Sequence, residues 1–138
     1  MAMMVMGLNV WGVLAALVFS NVLGMTWFSM SVFGKAWAKG RGWSKKDMSG
    51  TKGMAKSMFL NVLGTLVTIV VLAYIVKFTA AMTWQEGASL GFWLWLGFVM
   101  PVKLGDVLWA AGKWNVFLIE SAYQLVNLAV MGAILAVL

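Results

Sequence analysis

Three polar residues within one long apolar stretch are the part of this sequence that could do chemistry. Glu120, Gln124 and Asn127 follow one another at spacings of four and three residues, so on an α-helix they lie on one face. A carboxylate inside a membrane is costly, and polar side chains there face the interior of a helix bundle. The stripe has two interpretations: a seam of hydrogen bonds between helices, or a path for protons or a small solute that Glu120 gates.

Lys103 is the predicted partner of Glu120. It lies eight residues before a turn centred near Ala111, and Glu120 lies nine residues after that turn. In an antiparallel hairpin these offsets place the two side chains at nearly the same depth. We therefore predict a Lys103–Glu120 ion pair, for which Asp106 competes because it lies three residues after the lysine.

A second polar stripe, formed by Asn61, Thr65 and Thr68, lies in an earlier apolar stretch. Its spacing is again that of one helix face, so we expect both stripes to face the bundle interior. The candidate intramembrane polar site predicted from the sequence comprises Glu120, Lys103, Gln124, Asn127 and Asn61.

The residue types on which most enzymes depend are missing. The chain has no His and no Cys, which excludes a Ser-His-Asp or Cys-His pair and the usual zinc ligands. Its few carboxylates are far apart, so we expect no enzyme, no cofactor and no metal site. Soft thioethers select Cu(I), which leaves copper binding as an alternative to lipid contact for Met1, Met3, Met4 and Met6.

The composition places these residues in a membrane. Of the 138 residues, 63% are hydrophobic and 10% are charged, and the mean hydropathy is +0.93. A soluble domain averages about 25% charged residues. A chain of this composition cannot keep enough polar surface to stay in water, which excludes a soluble enzyme, a nucleic-acid-binding module and a disordered tail.

Four apolar stretches are long enough to cross a bilayer, which takes about 20 residues of helix. The short connections between the later stretches favour antiparallel neighbours. We therefore predict one all-α domain over residues 1–138, an integral membrane four-helix bundle with up-down-up-down order. The predicted spans cover about residues 6–33, 54–78, 84–108 and 115–138.

The basic residues predict the orientation of the bundle. The net charge is +6, and seven of the ten basic residues fall between positions 35 and 56. Beside long apolar stretches such a run indicates a cytoplasmic loop, here about residues 34–53, and both termini then lie on the other side. We expect contacts with anionic lipid headgroups, rather than with nucleic acid, from Lys35, Lys39, Arg41, Lys45 and Lys46.

Small residues recur every four positions in the first span and form a ridge that lets two helices approach closely. The partner of this ridge is another helix of the same chain or a helix of a neighbouring protomer. A shorter motif of the same kind, Gly87 to Gly91, lies at the start of the third span. The ridge in the first span consists of Gly12, Ala16, Ser20 and Gly24.

Aromatic residues and a proline add local detail. Trp27, Trp93 and Trp95 lie deep in the spans, and we expect them to pack between helices. Pro101, late in the third span, predicts a kink because proline has no backbone N–H and crowds the preceding turn.

Several segments resemble one uncharacterised bacterial membrane family, the domain of unknown function 1761 family. They are Trp27 to Ser29 with Phe33 to Trp37, Gly91 to Phe98 followed by Pro101, Ala122 to Leu125, and Met131 to Leu135. The resemblance covers nearly the whole chain. It implies a four-span protein of the bacterial inner (cytoplasmic) membrane and supplies no activity.

Two functional hypotheses follow. The first is a small non-enzymatic membrane protein that acts as an accessory subunit of a larger complex or as a homo-oligomer, with lipids and other membrane subunits or itself as partners. The second is a small permease or proton-linked transporter with a polar path on the second and fourth spans. A water-filled cavity along the stripe favours the transporter, and a dry seam favours the structural role.

Overall fold

A computed structural model of the protein describes residues 4–5, 8–29, 32–41, 54–110 and 112–138. The described part is helical apart from short connecting turns and an antiparallel hairpin of two strands, β1 (Met4–Val5) and β2 (Leu8–Asn9). A π-helical turn, π1 (Trp95–Val99), joins the fourth and fifth helices. The helices are α1 (Val10–Trp27), α2 (Gly34–Arg41), α3 (Met54–Phe78), α4 (Trp84–Leu94), α5 (Met100–Trp109) and α6 (Trp114–Val137).

Four helical segments of the described chain are long and apolar enough to cross a membrane. They are α1, α3, the continuous segment from α4 through π1 to α5, and α6. This confirms the prediction of an all-α protein with four such helices.

The first helix is shorter than the span predicted over residues 6–33. Asn9 caps its start, because the Asn9 side chain accepts a hydrogen bond of 3.0 Å from the N–H of Trp11, and its amide also donates to the carbonyl of Leu138. At the other end the chain leaves the helix after Trp27 and turns, with the N–H of Gly34 donating to the carbonyl of Ser29 at 2.8 Å. Capping at one end and the turn at the other therefore limit α1 to residues 10–27.

The segment predicted as a basic loop begins with a helix. In α2, Lys35 and Lys39 are exposed, whereas Ala38 is buried. The helix packs against the start of α6: a side chain at Gly40 would come within 2.5 Å of Val116 Cγ2. Residues 42–53, which include the predicted lipid contacts Lys45 and Lys46, lie outside the described residues, as do Met1, Met3 and Met6 of the methionine group.

The small-residue ridge of α1 packs against α6 of the same chain. Gly12, Ala16 and Ser20 are buried, and a side chain at Gly12 would meet Leu138 Cβ at 3.3 Å. One at Gly24 would meet the Tyr123 hydroxyl at 3.2 Å. In this structure the ridge therefore has a partner within the same chain.

Helices α4 and α6 cross with their backbones in contact. A Cβ added to Gly87 would overlap the carbonyl of Gly132, and one added to Gly91 would overlap the carbonyl of Leu128. Only glycine permits this approach, which is the packing that small residues allow between helices in lipid. The short Gly87–Gly91 motif thus marks a tight helix crossing.

The predicted kink at Pro101 takes the form of π1. Proline has no N–H to donate, and its ring crowds the carbonyl four residues earlier, that of Gly97. The chain responds by widening the preceding turn, so that the N–H of Met100 donates to the carbonyl of Trp95, five residues back.

The apolar core lies around α6, with α3 contributing only its second half. Ile69, Leu72 and Val76 of α3 are buried with Met131 of α6, whereas residues 56–61 at the start of α3 are all exposed. The first half of α3 therefore leaves one side of α6 uncovered.

Candidate functional site

Glu120 forms an ion pair near the start of α6. Its Oε1 lies 3.2 Å from the Nζ of Lys103 on α5, and the Glu120 and Lys103 side chains are 12% and 31% exposed. This is the pair that the hairpin register predicts. Burial of a lone carboxylate is costly, so the lysine compensates a charge that would otherwise oppose folding.

The second oxygen of Glu120 binds Trp37 of α2. The Trp37 Nε1–H donates to Oε2 at 2.8 Å, a charge-assisted bond of the stronger kind. We call Glu120, Lys103 and Trp37 the carboxylate cluster. The sequence analysis predicted a cytoplasmic loop over about residues 34–53, which include Trp37. The spacing of Lys35 and Lys39 around Trp37 and Ala38 is the signal for an amphipathic helix that this prediction missed.

Three tryptophan side chains donate to three successive residues of α6. The Trp27 indole donates to the carbonyl of Ile119 at 3.1 Å, Trp37 donates to the Glu120 side chain, and the Trp95 indole donates to the carbonyl of Ser121 at 2.8 Å. The donors come from α1, α2 and π1 respectively. Three separate elements are therefore fixed around the carboxylate.

Of the three tryptophans predicted to pack between helices, Trp27 and Trp95 do so. Trp93 does not, because its side chain is 62% exposed. Residues two positions apart on a helix point in nearly opposite directions, so Trp95 points towards α6 and Trp93 faces away from it.

An aromatic wall adjoins the carboxylate cluster. Phe28 packs edge-on against both Trp37 and Tyr123, with ring centroids 5.1 and 5.2 Å apart. The Tyr123 hydroxyl donates to the carbonyl of Ser20 at 3.4 Å. These rings link the cluster to the end of α1.

A charged cavity of about 250 Å³ lies beside the ion pair, between α5 and the start of α6. Its walls carry two lysines and two carboxylates, which are Lys103, Lys113, Asp106 and Glu120. The mixed charges form a balanced polar surface at this end of the bundle.

The two polar stripes meet in a separate groove, which we call the amide groove. It lies between the first half of α3 and the middle of α6 and has a volume of about 310 Å³. The described residues that line it are all uncharged, and they are Leu60, Asn61, Gly64, Thr65, Thr68, Tyr123, Gln124, Asn127 and Met131.

The amide groove is open on the side of α3. Asn61 and Thr68 are exposed, although the sequence predicts that both face the bundle interior. Gly64 has no described atom within 4 Å of the position that a side chain would occupy. The difference arises because the first half of α3 packs too loosely to close the interior around its polar face.

The side-chain oxygen of Asn127 has no hydrogen-bond partner in the part of the chain that the structure describes. The residue is buried, 5% exposed, and among the described residues nothing binds its Oδ1. A buried polar atom left unpaired costs about 1–3 kcal/mol. Ser121 Oγ is unpaired in the same sense, but Ser121 does not line the groove.

The single stripe predicted on α6 is divided between two cavities. Glu120 lines the charged cavity, Gln124 and Asn127 line the amide groove, and the two cavities share no lining residue. The carboxylate cluster can hold helices together through charge, and the groove can accept a neutral hydrogen-bonding group.

Comparison with known families gives one match. A family described as "Protein of unknown function (DUF1761)" matches residues 11–136, which confirms the resemblance seen in the sequence. Comparison with curated proteins and with solved structures gives no match.

Proposed function

We propose that this chain, which belongs to the DUF1761 family of proteins of unknown function, is a non-enzymatic integral membrane protein whose role is assembly. It acts as an accessory subunit of a membrane complex or as a homo-oligomer. The observation that carries this proposal is the open amide groove, with an unpaired buried oxygen of Asn127 in its wall.

The membrane makes such a groove costly while it is empty. Lipid chains cannot donate a hydrogen bond, so polar groups at membrane depth need partners within protein or water. A helix from another subunit supplies both a donor and close packing, which are the forces that drive helix association in lipid. Covering the groove also buries the exposed apolar residues beside it, Leu60, Leu63 and Val67.

The proposed orientation follows the basic residues. The segment 34–53 lies on the cytoplasmic side of a bacterial inner membrane, the four spans alternate in direction, and both termini lie on the opposite side. Lys35 and Lys39, exposed on α2, contact anionic lipid headgroups there, because such lipids attract basic segments next to a span.

A transport role is the alternative. Its support is the polar cavity itself, since Asn61, Thr65, Gln124 and Asn127 surround one space. However, Glu120, the residue expected to gate a proton path, lines a different cavity. We therefore propose assembly rather than transport as the function.

The test is purification of the protein from native membranes in a mild detergent, followed by native mass spectrometry and identification of bound proteins. We expect a discrete complex, with copies of this chain or with other membrane proteins. A monomer without partners would contradict the proposal, and proton-coupled uptake into liposomes that the Glu120→Gln variant abolishes would favour the transporter instead.

A further inference from the structure

We infer that the amide groove binds helix α3 of a second copy of this chain. The inference rests on the proposed function, because it names the partner that covers the groove. The protein would then form a two-fold homodimer in which each copy places its α3 against the groove of the other.

The chemistry of the lining defines what can fill the groove. None of the nine lining residues is charged, so a charged ligand would find no counter-ion there. The unpaired Asn127 Oδ1 requires a donor, and a side-chain amide or hydroxyl on an otherwise apolar helix supplies one at membrane depth.

Helix α3 itself has this composition. Its first half carries the exposed amide of Asn61 and the half-buried hydroxyl of Thr65. The groove wall carries the amides of Gln124 and Asn127, and the helix along its edge offers donors, so the surface is self-complementary. That property is what a symmetric dimer interface requires, because both partners present the same patch.

The shape at the edge of the groove also suits a helix. Gly64 is exposed with open space around it, and Thr68 lies one turn further along. In lipid, a glycine and another small residue four positions apart let two helices approach closely. The hydroxyl of Thr68 donates to the carbonyl of Gly64 at 3.2 Å. It is therefore held against its own helix, which leaves the helix surface flat.

The bilayer restricts how two copies can meet. Both copies insert with the same orientation because the same basic residues direct them. Their two-fold axis is then parallel to the membrane normal, and equivalent residues of the two α3 helices lie at equal depth. Gly64 of one copy therefore lies near Gly64 of the other, and Thr68 lies near Thr68.

Cysteine cross-linking tests this arrangement directly, because the natural chain has no Cys and a single introduced cysteine can pair only with another molecule. We expect Gly64→Cys and Thr68→Cys to form disulfide-linked dimers when native membranes are oxidised. Phe98→Cys, at an exposed position of π1 outside the groove, is the control and should stay monomeric. Equal cross-linking of all three variants, or of none, would overturn the inference.

A pair of glycine substitutions tests it without cross-linking. Gly64→Leu should fill the groove and weaken dimerisation by roughly tenfold or more. Gly97→Leu is the matched control, since a side chain at Gly97 likewise meets no described atom within 4 Å, and it should leave the dimer intact. The inference would be contradicted if both variants dissociated to the same extent or if neither dissociated.

The outcomes separate this inference from the proposed function. If a different protein co-purifies and Gly64→Leu releases it, the groove is an accessory-subunit surface, and the second-copy inference fails while the assembly role stands. If the unaltered protein is monomeric and has no partner, both fail.

Discussion

At the scale of single residues, Glu120 organises one end of the bundle. Its two carboxylate oxygens bind Lys103 of α5 and Trp37 of α2, and the carbonyls on either side of it accept indole N–H groups. The residue therefore joins elements that are distant in sequence. Removing the partner of each oxygen in turn gives two predictions.

The first concerns the ion pair. Lys103→Met removes the cation that lies 3.2 Å from Glu120 Oε1, and we expect the free energy of unfolding to fall by about 2 kcal/mol. This loss of unfolding free energy is smaller than the loss from breaking a fully buried pair, because the Lys103 side chain is 31% exposed. Denaturation in mixed micelles measures it. The double variant Lys103→Met with Glu120→Gln should recover part of the loss, and failure to recover any would contradict the assigned pairing.

The second concerns the indole. Trp37→Phe keeps the aromatic contact with Phe28 but removes the donor to Glu120 Oε2. A hydrogen bond to a charged group contributes about 1.5–3 kcal/mol, so the unfolding free energy should fall by about 2 kcal/mol. Trp93→Phe, at an exposed indole, is the matched control and should change stability little. Equal effects at both positions would show that Trp37 acts only as a surface aromatic.

At the level of helices, the features that could be predicted from the sequence are those that local rules determine. Apolar length predicts four candidate spans, and counting residues from a short turn places Lys103 beside Glu120. Pro101 predicts a distortion, found as π1. These features depend on a few neighbouring residues or on one hairpin, whose geometry is nearly fixed.

The features that the sequence did not predict depend on how distant helices are angled. The contact of Trp37 with Glu120 requires α2 to fold back against α6, across 83 residues of chain. The open groove requires the first half of α3 to pack loosely, although its polar spacing alone predicts an inward face. Periodicity defines a helix face but does not identify the helix that covers it.

A test at this scale addresses the crossing of α4 and α6. Gly91→Ala would place a methyl group on the carbonyl of Leu128, and we expect destabilisation by about 3 kcal/mol or more. Gly105→Ala is the control, because no described atom lies within 4 Å of its added carbon, and alanine should stabilise that helix by about 0.8–1.0 kcal/mol. Opposite signs are expected in thermal denaturation, and destabilisation by both would contradict the crossing geometry.

At the scale of the whole molecule, the proposed orientation predicts which surfaces face each compartment. Met82, between α3 and α4, and Lys113, before α6, are both exposed. We expect Met82→Cys to react with a membrane-impermeant maleimide added to intact cells whose outer membrane is permeable. Lys113→Cys should react only after lysis. The reverse pattern would place the basic segment outside the cytoplasm.

If the amide groove is an assembly surface, a substitution at Asn127 should weaken assembly. Asn127→Leu keeps the branched shape and the number of side-chain heavy atoms but removes the amide that a partner would bind. Ser121→Ala is the control, because it removes the other unpaired buried oxygen, which does not line the groove. Native mass spectrometry of both variants measures the assembled fraction. We expect a marked loss of assembly in Asn127→Leu and none in Ser121→Ala; unchanged assembly in Asn127→Leu would contradict the role of the groove.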